Sequence, residues 1–108
     1  MQSAMEPTRK MSRKRLMSVD FEVFGKVQGP YFKKYTAQVA YSLHLKGWCM
    51  NSDRNTLKGV VEGRVSDVES MKNWLKKNDR PQSKIDAAIF SEEKEVDFIS
   101  YDGFRILI

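Results

Sequence analysis

At 108 residues the chain has room for one domain, not two, and it is long enough to bury a core without disulfides or a structural metal. Its 41% hydrophobic and 31% charged residues are those of a globular protein, and no apolar run approaches the roughly 18 residues of a membrane span. The single cysteine, Cys49, excludes an intramolecular disulfide and zinc sites built on CxxC pairs; one free thiol fits a reducing compartment, the cytoplasm.

The formal net charge of +5 is unevenly placed. Residues 1–17 carry Arg9, Lys10, Arg13, Lys14 and Arg15 against Glu6 alone, which leaves 14 basic and 13 acidic groups for residues 18–108. The first segment is basic, poor in apolar residues and without a period, so it reads as a disordered tail. A solvated extension, a contact with an acidic surface and a mitochondrial presequence all remain open for it. It has no apolar h-region, so no secretory signal is expected. Met17 directly precedes the remainder and allows a shorter start.

From Ser18 onward the chain reads as one domain, 18–108. Val19, Phe21 and Val23 alternate with Asp20 and Glu22, a half-buried strand. A loop containing Gly25 and Gly29 follows. Roughly Lys33 to Leu45 reads as a helix, with Tyr35, Val39, Ala40 and Leu43 at helical spacing and Gly47 as its stop. Trp48, Cys49 and Met50 suggest a second strand, Asn51–Asn55 a turn, and Leu57 to Val65 a third strand with Leu57, Val61 and Val65 on one face. Ser66-Asp67-Val68-Glu69 matches a capping box, and the helix after it carries Val68, Met71 and Leu75 on one stripe with Trp74 beside it. Arg80–Ser83 breaks that helix. Ile85, Ala87 and Ile89 alternate as a fourth strand, and after the charged stretch Ser91–Glu95 a short strand holds Phe104, Ile106 and Ile108.

This order, β-α-β-β-α-β plus a short C-terminal strand, predicts an α+β fold: a ferredoxin-like sandwich with two helices on one face of an antiparallel sheet. That fold serves many functions and selects none.

The segment Val23-Phe24-Gly25-Lys26-Val27-Gln28-Gly29-Pro30-Tyr31-Phe32-Lys33 resembles the acylphosphatase signature G-x-V-Q-G-V-x-F-R, and Gly47-Trp48-Cys49-Met50-Asn51 is similar to the family's G-W-x-x-N. Gly59…Glu62-Gly63, Ser70–Leu75 and Ser83–Asp86 continue the likeness in order, which is to small acylphosphatases of the common and muscle types. The resemblance implies hydrolysis of acyl phosphates by a monomer, with no metal and no cofactor. It implies a loop of Gly25, Val27, Gln28, Gly29, Pro30, Tyr31 and Phe32 that wraps the phosphate with backbone N–H groups. It further implies a catalytic cation at Lys33 and a water-orienting Asn51.

Two of these positions depart from the family. Lys33 stands where the family has arginine, which keeps the charge but loses the bidentate fork. Pro30 stands where it usually has valine, and proline has no N–H to donate. The expectation is therefore hydrolysis at reduced rate, with a catalytically impaired phosphate-binding or protein-interaction module as the alternative. His44, at a helix C-terminus, and Cys49 are not expected to be catalytic. Trp48 and Trp74 are expected in the core. Nucleic-acid binding is not expected, because Lys58-Gly59-Val60-Val61-Glu62 offers no stacking aromatic where an RNA-recognition strand needs one.

Overall fold

The computed structural model describes residues 15–27, 30–77 and 84–107, with the backbone alone at Pro30. The basic segment 1–14, Gln28, Gly29, the helix-breaking Arg80–Ser83 and Ile108 lie outside these residues. Five strands and two helices follow one another as β1 Leu16–Lys26, α1 Pro30–Ser42, β2 Lys46–Asn51, β3 Leu57–Arg64, α2 Val65–Lys76, β4 Lys84–Val96 and β5 Phe104–Ile106. They form one sheet in the order β4-β1-β3-β2-β5. The first four strands are antiparallel, as expected of the ferredoxin-like sandwich, while β5 joins parallel to β2 through Gly47↔Phe104 and Cys49↔Ile106.

The core lies between the sheet and the helices. Val19, Phe21 and Val23 of β1 are buried on its inner face, with Leu57 and Val61 of β3 and Cys49 of β2. Helix α2 contributes the stripe Val68, Met71 and Leu75. Helix α1 contributes Phe32, Thr36 and Ala40, with Val39 and Leu43 partly buried. Thr36 is tolerated there because its hydroxyl donates to the Phe32 carbonyl at 2.7 Å. The rings of Phe32 and Trp74 stack at 5.7 Å and join the two helices. Lys72 clips α2 to β4, pairing with Glu93 and lying 5.3 Å over the Phe90 ring.

Several expected details change. Helix α1 starts three residues before Lys33, and Tyr35 is 38% exposed rather than core. The buried face is set by Phe32 and Thr36, one position round the helix from Tyr35. Gly47 does not stop α1. The stop is His44, at φ 59°, flanked by Leu45 N–H to Ala40 O (2.8 Å) and His44 N–H to Tyr41 O (3.0 Å), the paired bonds of a Schellman motif. Gly47 instead lies inside β2 at φ +138°, where a Cβ would meet the Val60 carbonyl oxygen at 2.0 Å.

The capping box does not form. Strand β3 runs directly into α2, with Arg64 at the N-cap making no side-chain cap bond and Val65 already helical. Ser66 is therefore inside the first turn, and the Val65 N–H is met by the Arg15 carbonyl at 3.3 Å. Strand β1 begins at Leu16, ahead of Ser18, because β4 extends through Ser91–Glu95 to pair with it. The simple alternation of β4 fails at two register shifts, near Phe24/Gly25 and Ser18/Asp20. The first puts Ile85 in the core while Ile89 is 53% exposed. Glu92 absorbs the second at φ 53°.

Candidate functional site

The end of β1, the start of α1, the end of β2 and the start of β3 meet at one end of the sheet, since β1 and β2 both run antiparallel to β3. Val27 leaves β1 there with its side chain in the core. Three residues on, α1 begins at Pro30. The first-turn N–H groups of an α-helix have no partner within the helix, and they carry the positive end of its dipole. No acidic side chain stands in this first turn to compete for them. Pro30 suits the first helical position, where its fixed φ is preorganised, and its missing N–H costs the helix no internal bond. Tyr31 and Lys33 follow it in this turn with N–H groups of their own. The Phe32 ring is packed in the core and the Tyr31 ring is exposed.

Asn51 closes the opposite side. Its Nδ2 donates to the Val27 carbonyl at 3.2 Å and to the Thr56 carbonyl at 3.4 Å. Two carbonyl acceptors fix which amide atom is nitrogen. The other atom, Oδ1, takes no hydrogen bond from the described residues. The side chain is thus anchored through its donor end and presents an acceptor.

The loop behind it is braced by side-chain hydrogen bonds. Ser52 Oγ accepts the N–H groups of Arg54 (3.1 Å) and Thr56 (3.2 Å). Thr56 Oγ1 donates to Glu22 Oε2 at 2.6 Å, so its single proton is committed and Ser52 is the donor in the 2.6 Å contact between the hydroxyls. Arg54 also reaches Glu22 at 3.1 Å. Sequence reading saw only a turn here. The bracing pattern of Ser52, Thr56 and Glu22 was missed, although hydroxyls flanking Asp53-Arg54-Asn55 are the usual mark of side-chain-closed turns.

Lys33 is half-buried and forms no hydrogen bond or ion pair with the described residues. Its charge is felt at Cys49, two residues before Asn51 on the same face of β2. Burial pushes the Cys49 thiol up to about 12, against a smaller opposing pull from Lys33. A thiol that stays protonated to such pH is no nucleophile.

Other singled-out residues lie elsewhere. Gly25, expected in the phosphate loop, is still in β1, paired with Ile85 at φ +133°. The contact explains the glycine: a Cβ would meet the Lys84 carbonyl oxygen at 2.1 Å. His44 is at the far end of α1. Trp48, expected in the core, faces the open side of the sheet beside Asp20, Glu22, Val60 and Ile89, because its even position in β2 opposes the buried Cys49. Gln28 and Gly29 lie outside the described residues. Among the described residues no cluster of metal-binding side chains occurs, and no helix is long and apolar enough to cross a membrane.

A strand that leads into a helix start with no acidic residue in its first turn is a general setting for anions. Comparison with known proteins gives this chain a family. The acylphosphatase family profile matches residues 19–106. The chain is 46% identical to Acylphosphatase-1 of Mus musculus over 92 residues, which is 85% of this chain and 93% of that protein. It is 45% identical to Acylphosphatase-2 of Gallus gallus over 89 residues, 82% and 86% of the two chains. An acylphosphatase structure from Coxiella burnetii superposes with a TM-score of 0.74 at 26% identity, covering 87% of this chain and 95% of the other. The chain belongs to the acylphosphatase family.

Proposed function

We propose that the protein hydrolyses acyl phosphates to carboxylate and phosphate at the junction of α1 and β2. The single observation that carries this reading is the Asn51 amide, anchored by Nδ2 to Val27 and Thr56 with Oδ1 left as an acceptor. An acceptor at that place takes an O–H of water and turns the water's lone pair toward the bound phosphate. A neutral amide does so without titrating.

In this reading the phosphoryl oxygens sit on the N–H groups of Tyr31 and Lys33 and of the loop before them, with the Lys33 ammonium as counter-charge. The water oxygen forms a bond to phosphorus in line with the anhydride oxygen. The P–O bond to the acyl group breaks, its electron pair leaves on the carboxylate, and the water proton ends on the phosphate product. A carboxylate leaves without protonation, so positioning and charge are what the site must supply. Cys49 takes no part.

Lys33 in place of arginine and Pro30 in place of an N–H donor both lower the expected rate. A missing arginine in phosphoryl transfer costs on the order of 10³–10⁵, of which a lysine restores part as a point charge. That pair of changes also motivates the second reading, a phosphate-binding module without useful turnover. A buried free thiol supports a reducing compartment, the cytoplasm, and we take the working form to be the monomer. The test is hydrolysis of an aromatic acyl phosphate: turnover above background that disappears in Asn51→Ala supports the enzyme, and turnover independent of Asn51 removes it.

A further inference from the structure

The first turn of α1 carries an aromatic ring that the core does not use. Tyr31, the second residue of the helix, is 59% exposed, and its hydroxyl has no hydrogen-bond partner among the described residues. Tyr35, four residues on, extends the same flank of the helix and is 38% exposed. A single exposed tyrosine on a surface is ordinary. This one stands at the helix start itself, beside the candidate phosphate donors.

Successive helical residues are turned by about 100°, so Tyr31 and Lys33 project to either side of the buried Phe32. Lys33 is on the flank toward β2, since its charge is felt at Cys49 of that strand. Tyr31 and Tyr35 are on the other flank, away from β2. Helical side chains also lean toward the N-terminus of their helix, which brings the Tyr31 ring toward the open end of α1 instead of back along it.

The geometry of phosphoryl transfer gives that flank a role. In the proposed reaction the attacking water is held by the free Oδ1 of Asn51, the last residue of β2. The leaving oxygen of an in-line displacement lies opposite the water across phosphorus. With the water on the β2 side, the acyl group emerges on the side away from β2, where Tyr31 is.

We propose that the Tyr31 ring is the contact surface for the acyl group, and that the preferred substrates are acyl phosphates whose acyl group is a planar aromatic ring. This rests on the reading of the α1 start as the phosphate site. Two rings meet in offset-stacked or edge-to-face pairs, and an exposed ring takes such a partner without first giving up a packed contact. The other accessible aromatics are in the wrong place: Trp48 lies on the open face of the sheet, and Tyr41, 81% exposed, is at the far end of α1.

The test uses ligands that are not hydrolysed, so it does not depend on turnover. In 2-oxo-2-phenylethylphosphonate and 2-oxopropylphosphonate a methylene group replaces the scissile oxygen of an aromatic and of a small aliphatic acyl phosphate. Both are titrated by calorimetry into the full chain and its Tyr31→Ala, Tyr31→Phe and Tyr41→Ala variants. The parent is expected to bind the phenyl ligand about fivefold tighter than the methyl ligand, the size of one aromatic pair. That preference should drop below twofold in Tyr31→Ala. It should persist in Tyr31→Phe, which keeps the ring, and in Tyr41→Ala, which removes an exposed ring remote from the site. Tyr31→Ala should melt close to the parent, since the ring is not in the core. Equal affinities in the parent, a preference retained by Tyr31→Ala, or one lost in Tyr31→Phe or Tyr41→Ala, would overturn the aromatic contact and leave the hydrolase reading standing. Failure of both phosphonates to bind would instead remove the phosphate site itself, and the contact with it.

Discussion

Replacing Asn51 by alanine separates anchoring from chemistry. The substitution removes two Nδ2 bonds, to the Val27 carbonyl at 3.2 Å and the Thr56 carbonyl at 3.4 Å. The first has ordinary length and contributes about 1 kcal/mol net; the second is near the limit of a useful hydrogen bond and contributes about half as much. Val27 and Thr56 are both buried, but the Thr56 carbonyl keeps the Ser52 N–H at 2.8 Å, which limits the loss. A destabilisation of about 1–1.5 kcal/mol corresponds to a fall in melting temperature of roughly 4–12 °C for a domain of this size. The chemical effect is larger. Losing one positioned group at a reacting centre costs about 10²–10³ in kcat, far more than a slightly less stable but still folded protein would lose. Calorimetric melting and steady-state hydrolysis of an aromatic acyl phosphate read the two effects separately. Asn51→Asp is the sharper companion: it keeps an acceptor oxygen but turns the other toward two carbonyls, so it should melt at least as low as the alanine variant. A parental melting temperature for Asn51→Asp would refute the anchoring, and a kcat within tenfold of the parent for Asn51→Ala would refute the role in water alignment.

Further outcomes can be checked on the same preparations. Pro30→Val with Lys33→Arg is expected to raise kcat/KM by more than tenfold; a smaller gain means these two positions do not limit the rate. His44→Gly should raise the melting temperature, since a glycine takes the left-handed conformation at φ 59° with about 1 kcal/mol less strain. The Cys49 thiol, pushed up to about 12, should resist aromatic disulfide reagents at pH 8 and react only as fast as the domain opens. Its folded value lies above that of an ordinary exposed thiol, so its contribution to stability is complete below the exposed thiol's range and is lost as pH rises toward 12. Urea midpoints that fall over that range in the parent, but less steeply in Cys49→Val, would show it.

Much of the fold is legible where one physical effect dominates. Strand β1 announces itself because Val19, Phe21 and Val23 face a core and their neighbours do not. Helix α2 does so through Val68, Met71 and Leu75. Reading fails where tertiary pairing overrides local pattern. Ser66 and Glu69 have the right types for a cap, but the helix is already under way, and no local rule reveals a strand that becomes a helix without a break. Ser91–Glu95 is too charged to look like a strand, yet it pairs with the start of β1 because one edge and one face meet water. Ala87 and Ile89 lose their alternation to a bulge that depends on Gly25, a residue far away in sequence. At the site, Asn51 and Lys33 could be singled out only through family resemblance. The atom of Asn51 that is anchored, and so the atom that remains to act, depends on Val27 and Thr56 being folded around it.

The seamless join between Arg64 and Val65 carries a consequence for how such a domain can change over time. Loops absorb inserted residues, but this junction has no loop. One residue added there would turn α2 by about 100°, carrying Val68, Met71 and Leu75 out of the core and Trp74 away from Phe32. Because Phe32 sits in the first turn of α1, an insertion more than thirty residues downstream in sequence would loosen the helix start on which the phosphate is proposed to sit. Length variation should therefore be tolerated around Asp53 to Asn55 far better than at residue 65, and a scan of single-residue insertions would map that boundary directly.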